Sequence, residues 1–384
     1  MSDVTLSKAV RSNLLHLQGT SKMMDQTQTR LATGKRVNSA LDNPTNFFTS
    51  SALKARASDI GSLLDSMSTG IRIIEAADNG LSSITKTLEQ MQSTLRQARQ
   101  DKSFMVQSYA VDVAQLGAAD VITLTGGSID GGTYTLDGGN LNPANPIQTI
   151  DTLDDLVAYL NNEPDLKNRI RASNDKGTLR IENISTQDLE VSGDAVDAGI
   201  TVGVNDTIKG NNVRANLSKQ FNELRNELNG FADDSSVNGI NLLRGDQLKI
   251  VFNELGTSFL EIEAKNRDGE VRPINSATLG LRDIAEQELD LDSGIDGFLR
   301  DVQQALGEVR SQASDFGSTL SIVQNRENFT KNMINTLETA ASDLTLADTN
   351  EEAANMLALQ TRQQLSQTAL SLASQADQSV LRLF

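Results

Sequence analysis

Fourteen apolar residues in register dominate this 384-residue chain: Leu53, Ala57, Ile60, Leu64, Met67, Ile71, Ile74, Ala77, Leu81, Ile84, Leu88, Met91, Leu95 and Ala98. They alternate in steps of four and three, with one additional step of three between Ile74 and Ala77. That spacing places them along one seam of a helix, and the single irregularity has the form of a coiled-coil stammer. Asn43-Pro44 ahead of the stripe reads as an N-cap followed by proline at the first helical position, where its missing N–H costs nothing. At 1.5 Å per residue the stripe extends about 69 Å. Such a helix cannot bury its seam against itself, so the rest of the chain has to supply partners.

Two partners are visible. Leu217, Phe221, Leu224, Leu228 and Phe231 form a shorter heptad segment. Leu299, Val302, Leu306, Val309, Ala313, Phe316, Leu320 and Val323 form a longer one. Between them, "LKIVF" and "SFLEIEAK" are β-rich runs around "NELGT", which predicts a β-hairpin over 248–265. In "IVQNRENF", Gln324, Asn325 and Arg326 interrupt the ladder after Val323, and the stripe is expected to resume out of phase at Phe329 and Met333. Polar residues at a core position fix register at some cost in stability.

The segment 105–212 differs in kind. It holds all three tyrosines, 12 of the 27 glycines, and sixteen Asp/Glu against six Lys/Arg. Strand-like runs ("DVITLT", "GGTYTL", "RIRAS", "TLRIENI", "DLEVS") alternate with turn chemistry around one amphipathic helix, "TLDDLVAYLNN", capped by Asp151 or Thr152. The expected fold class is mainly α: a long-helix coiled-coil bundle with a β-hairpin, plus a small inserted α+β outer domain. The bundle is assigned to 45–104 and 213–345, the insertion to 105–212, and terminal helices to 1–44 and 346–384. The terminal stripes carry Leu14, Leu17, Met24 and Leu31 at one end and Leu365, Leu372, Val380 and Leu383 at the other. Their expected arrangement is with each other and with copies of themselves.

Composition narrows the function. A net charge of −17 argues against nucleic acid or an anionic membrane as partner, since both need a basic face. No apolar run reaches the length of a membrane span. The absence of cysteine removes disulfides and thiolate chemistry, and the lone His16 removes multi-histidine metal sites. "DLDSG" at 290–294 begins like a calcium loop, but its glycine comes one position early and the distal Glu is absent, so it reads as a solvated turn. The Gly pairs at 126–127, 131–132 and 138–139 match no phosphate-binding pattern and read as hairpin turns. Asp154 and Asp155 fall in a first helical turn, where acids are favoured. No catalytic constellation, cofactor site or metal site emerges, and an enzyme is not expected. The N-terminus lacks the apolar core of a signal peptide.

These segments resemble bacterial flagellin over about 1–104 and 213–384. "LATGKRVNSALDNPTNFFTSSAL" is similar to the family's loop joining the terminal helix to the rod helix, with Lys35 before Arg36 and Val37 for the usual Ile. "GIRIIEAADNGLSSITKTLEQMQ" resembles the rod's second half. "SVNGINLLRG" resembles the Phe-Asn-Gly loop, with Val237 for Phe. "IVQNRENF" resembles the Gln-Asn-Arg signature, and the tail "ANMLALQTRQQLSQTALSLASQADQSVLRLF" the polymerising C-terminus. The resemblance implies a self-assembling subunit of the extracellular flagellar filament. It also implies export unfolded through the flagellar type III apparatus with an export chaperone, and contact with filament cap and hook-associated proteins. It places the innate-immune receptor's reading positions at Gln90, Thr94 and Gln220, where an Arg, a Leu and an acid would be expected, and so implies a poor agonist. One departure is the early position of the insertion, which in enteric-type members follows the hairpin. Its "TLDDLVAYLNN…TLRIENI" module resembles hook-associated proteins. A hook–filament junction protein is therefore the alternative reading, with an adhesin or lectin built on the insertion behind it.

Overall fold

The computed structural model describes residues 8–111, 113, 121–127, 129, 132–137, 150, 152–193, 206–266 and 269–381. In chain order its elements are α1 (Lys8–Thr33), α2 (Pro44–Gln100), β1 (Met105–Ala110), β2 (Val121–Gly126), β3 (Thr133–Asp137), α3 (Leu153–Asn162) and β4 (Ile170–Asp175). There follow β5 (Thr178–Asn183), β6 (Leu189–Gly193), β7 (Asp206–Ile208), α4 (Asn212–Asp234), β8 (Leu248–Val251), β9 (Phe259–Ile262), α5 (Asp292–Thr345) and α6 (Thr349–Leu381). The fold is mainly α, with the expected long helices, hairpin and inserted α+β region. The chain divides into two compact units: Met1–Thr69 with Ile250–Phe259 and Val323–Phe384, and Gly70–Lys249 with Leu260–Ile322.

The first unit joins α1, the start of α2, the end of α5, and α6. Asn43 caps α2 by accepting the Asn46 N–H at 3.0 Å, with Pro44 next to it at the first helical position. Ala57 and Ile60 of α2 form a small core with Leu337 of α5, flanked by Leu53, Met333 and Ile334. The α1–α2 loop is tied to the α5–α6 loop through the backbone. Arg36 N–H donates to Thr345 O at 2.7 Å, and Ala347 N–H to Gly34 O at 3.0 Å. Gly34 holds φ at +67°, a conformation that a side chain would strain. Inside the loop the Asp42 carboxylate accepts the Asn38 and Ser39 backbone N–H groups, which hold its pKa below the ordinary value.

The second unit contains the rest of the bundle and the insertion. From Ile73 to Ala98 the α2 seam is buried (Ile73, Ile74, Ala77, Leu81, Ile84, Leu88, Met91, Leu95, Ala98), as are Phe221 and Leu228 of α4 and Val302 and Val309 of α5. The Phe221 and Phe298 rings lie 6.2 Å apart. Gly80 provides the close approach this packing needs: a Cβ there would collide with the Ser235 side chain and lie 2.7 Å from Leu243 Cδ1.

In the insertion, two antiparallel sheets with strand orders β1-β5-β4 and β3-β2-β6-β7 share one core with α3. Leu124, Leu156, Leu166, Leu179, Ile181 and Leu189 are at most 1 % exposed there. Thr152 starts α3 with a reciprocal cap to Asp155, and Asn161 closes the sheet edge by both accepting from and donating to the Ala172 backbone at 2.9 Å. The five predicted strands are β2 to β6. β1 and β7 were not anticipated. The turns expected at Gly131 and Gly138–Gly139, and the Asp151 cap, lie outside the described residues.

Candidate functional site

The terminal helices pack along one another. The face that α1 buries is mixed, with Val10, Thr20 and Thr27 buried and Leu17, Met24 and Leu31 half-buried. The face that α6 buries runs through Glu352, Met356, Leu359, Gln363, Ser366, Leu370 and Ala373. The pair is pinned by Arg30, whose Nη1 lies 2.9 Å from Oε1 of the buried Glu352. This packing leaves large apolar side chains outside it. Leu14 is 39 % exposed, Leu365 65 % and Leu372 62 %, with Leu15, Met23 and Leu357 exposed beside them. The C-terminal stripe read from the sequence is thus the outward face of α6, and a face of mixed polarity meets α1. The Val380 side chain and all of Leu383 lie outside the described residues, and His16 is exposed on α1.

The Gln324-Asn325-Arg326 reading is corrected. All three side chains are exposed, and α5 runs through them without a break. The buried stripe keeps phase from Val323 through Thr330, Leu337 and Ala341; of the two residues expected to resume it, Phe329 is 56 % exposed, whereas Met333 is half-buried against the Ala57–Ile60–Leu337 core. The heptad survives because the Thr330 methyl and the half-buried Glu327 fill the two steps between Val323 and Ile334. Glu327 is held by Lys331 at 2.8 Å and Ser68 at 3.3 Å. Arg326 turns outward over the Phe252 ring, 5.4 Å from its centroid.

A second correction concerns the receptor-reading positions. Gln90 and Gln220 are exposed, but Thr94 is 5 % exposed and spends its hydroxyl on the Gln90 carbonyl at 3.1 Å. Its place in the α2 core leaves it no surface for a partner to read.

The third correction is at the head of "DLDSG": Leu291, Asp292 and Ser293 are exposed, but Asp290 is not solvated. Asp290 is 7 % exposed and accepts the Thr186 N–H at 2.8 Å. Beside it lies Arg214, 1 % exposed, at the root of the insertion. Its guanidinium donates to Leu289 O (2.8 Å), Asp290 O (2.7 Å), Asp101 O (3.1 Å) and Asp292 Oδ1 (2.8 Å). It also stands 5.3 Å from the Phe104 ring centroid. Lys102 takes the other Asp292 oxygen at 2.9 Å, and Asn211, the cap of α4, donates to Asp101. Burial pushes Asp101 and Asp292 upward, but hydrogen bonds from Ser103 and Asn211 to the first, and from Lys102 and Arg214 to the second, hold both below the ordinary value. The carboxylates are thus engaged by N–H groups and cations, as a structural clamp requires. Arg214 was legible in principle: it lies three residues before Leu217 and seven before Phe221, on the α4 seam itself.

Among the described residues no group of three or more acidic, His or Cys side chains is placed to hold a metal, and no helix is long and apolar enough to cross a membrane.

Comparison with known proteins places this architecture. The bacterial flagellin N-terminal helical region matches residues 5–116 and the bacterial flagellin C-terminal helical region residues 299–384, together more than half of the chain. Flagellin A of Rhizobium meliloti (strain 1021) is 23 % identical, with 100 % of both chains covered, and flagellin D of the same strain is 22 % identical, again over 100 % of each. Flagellin FljM of Caulobacter vibrioides is 26 % identical across 44 % of this chain and 59 % of its own. Matching helical regions at both ends, end-to-end similarity and the paired terminal helices lead to one assignment: the chain belongs to the bacterial flagellins, structural subunits of the flagellar filament rather than enzymes.

Proposed function

We propose that α1 and α6 build the inner core of the filament, with Leu14, Leu365, Leu372, Val380 and Leu383 buried between copies and Leu17, Met24 and Leu31, half-buried on the inward face of α1, completing their burial there. The observation that carries this is the outward apolar face of the terminal pair, with Leu365 and Leu372 more than half exposed. A helix whose leucine stripe is left uncovered by its partner within the chain has a further surface to bury. The segments 45–104 and 213–345 act as the surrounding shaft, and 105–212 faces solvent.

Such a subunit is exported unfolded through the flagellar type III apparatus with a chaperone, and joins a filament outside the cell between hook-associated proteins and the cap. Neither nucleic acid nor membrane is a partner. Exposed glutamines at 90 and 220, in place of an arginine and an acid, make the chain a poor agonist of the innate-immune flagellin receptor. A receptor reporter assay checks this: activation by monomer at the dose that suffices for an enteric flagellin would refute it.

The main test is seeded growth. Purified full-length protein should elongate filament seeds without limit, whereas a hook–filament junction protein would cap an end and stop. Deleting 1–30 or 355–384 should abolish elongation and leave a helical monomer, and elongation by either truncated chain would overturn the inner-core assignment.

A further inference from the structure

A groove between the C-terminal end of α2 and the start of α5 is basic, in a chain whose net charge is −17. It encloses about 760 Å³ and is lined by Arg96, Arg99 and Arg300 with Gln100 and Gln303. Its two carboxylates are already engaged. Asp296 pairs with Arg99 at 3.0 Å, and Asp292 is shared by Lys102 and Arg214. Arg96 and Arg300 are exposed, and neither makes an ion pair among the described residues. Two unpaired guanidiniums side by side repel one another, and a carboxylate partner would relieve that repulsion.

The complementary surface is on α4. That helix buries Leu217, Phe221 and Leu228 and meets α5 through Phe221 and Phe298, so its outward side lies away from the α2–α5 groove. On that side Glu223 and Glu227 are exposed, four residues apart, and neither makes an ion pair among the described residues. At this spacing like charges on a helix repel. We infer that the Arg96–Arg99–Arg300 groove of one copy receives the Glu223–Glu227 ridge of α4 from another copy of this chain. Groove and ridge are different surfaces on different sides of one bundle. The contact is therefore heterologous: it leaves a free groove at one end and a free ridge at the other, and it propagates instead of closing. Charge complementarity of this kind sets partner choice and orientation more than raw affinity.

The inference rests on the filament reading, and the experiment separates the two. The critical concentration for seeded elongation is measured by sedimentation on full-length protein at low salt. R96E with R300E is expected to raise it about tenfold, and E223K with E227K to do the same, since each turns two exposed attractions into repulsions. The fourfold variant restores opposite charges across the contact and should return to within about twofold of wild type. At about 1 M salt, where screening acts within about 3 Å, the differences should collapse. Monomer helicity and melting are read first. If a reversal melts early, R96Q with R300Q replaces it, with about a threefold rise expected. An unchanged critical concentration in either charge pair, or no recovery in the fourfold variant, overturns the groove assignment. Wild-type protein that fails to extend seeds overturns the filament reading instead.

Discussion

Replacing Arg214 by methionine tests whether the insertion is clamped to the shaft or merely tethered by its two crossings. The methionine stem keeps most of the packing volume, while the guanidinium and its four hydrogen bonds are lost. The ion pair itself contributes little, because the Asp292 side chain is 48 % exposed and retains Lys102. The cost lies in the carbonyls of Asp101, Leu289 and Asp290, which lose their common donor. At about 1 kcal/mol apiece, the low end for an unsatisfied buried acceptor, the total is about 3 kcal/mol. That corresponds to about a hundredfold rise in the population of the opened root. Hydrogen exchange should therefore show the Thr186, Asn211 and Ala215 amides losing about a hundredfold in protection, while amides of α1 and α6 stay unchanged. R214K, which keeps the charge but not the planar fork, should fall between. Protection at the root that stays within about threefold of wild type would refute the clamp.

Gly80→Ala should destabilise the second unit by about 1–3 kcal/mol despite alanine's better helix propensity, because the Ser235 and Leu243 side chains occupy the space; thermal melting checks this. The folded-state pKa values of Asp101 and Asp292 are depressed, so their stabilisation is present above the ordinary value of 3.8 and is lost as pH falls through the folded values. Root protection should accordingly be flat from neutral pH down to about 4 and decline below it, and a decline already complete at about pH 5 would contradict the assignment. Replacing 106–210 with a short linker, which keeps the Asn211 cap, should preserve seeded elongation and reduce its salt dependence. Loss of all elongation would make the insertion an interface.

Elements with one strong local signal were legible in the sequence. The Asn43-Pro44 start, the α2 seam, the α3 cap and the β8–β9 hairpin each follow from residues that satisfy a local requirement whatever the rest of the chain does. β1 and β7 were not legible because neither is complete alone. "MVQSYA" shows an irregular exposed edge and is held in register by β5, and the three-residue "DTI" is defined by its pairing with β6. The root clamp was missed for a related reason. An arginine on an apolar seam looks like a solvated charge until the carbonyls that receive it are supplied from Asp101 and from the adjacent Leu289 and Asp290, two distant points on the chain.

The Gln-Asn-Arg segment and the α6 stripe show a more general limit. Periodicity identifies which residues share a face, but not which face a given partner covers. On α5 the seam could leave Val323 through Phe329 or through Glu327 and Thr330, with Met333 packed beside Leu337 in the observed structure. The larger side chain at 329 favours the first course by hydrophobicity alone. The packed structure takes the second because it keeps the seven-residue step from Val323 to Thr330, and a shift of phase would turn Leu337 and Ala341 out of the core. On α6 the leucine stripe is the more apolar face, yet the face of mixed polarity is the one that meets α1. That face carries Glu352, whose pairing with Arg30 anchors the helix, and it leaves Leu365 and Leu372 facing outward. A subunit that folds alone has no use for an uncovered apolar face. Under the inner-core role proposed above, copies would bury that face, which would account for the leucines left uncovered within one chain.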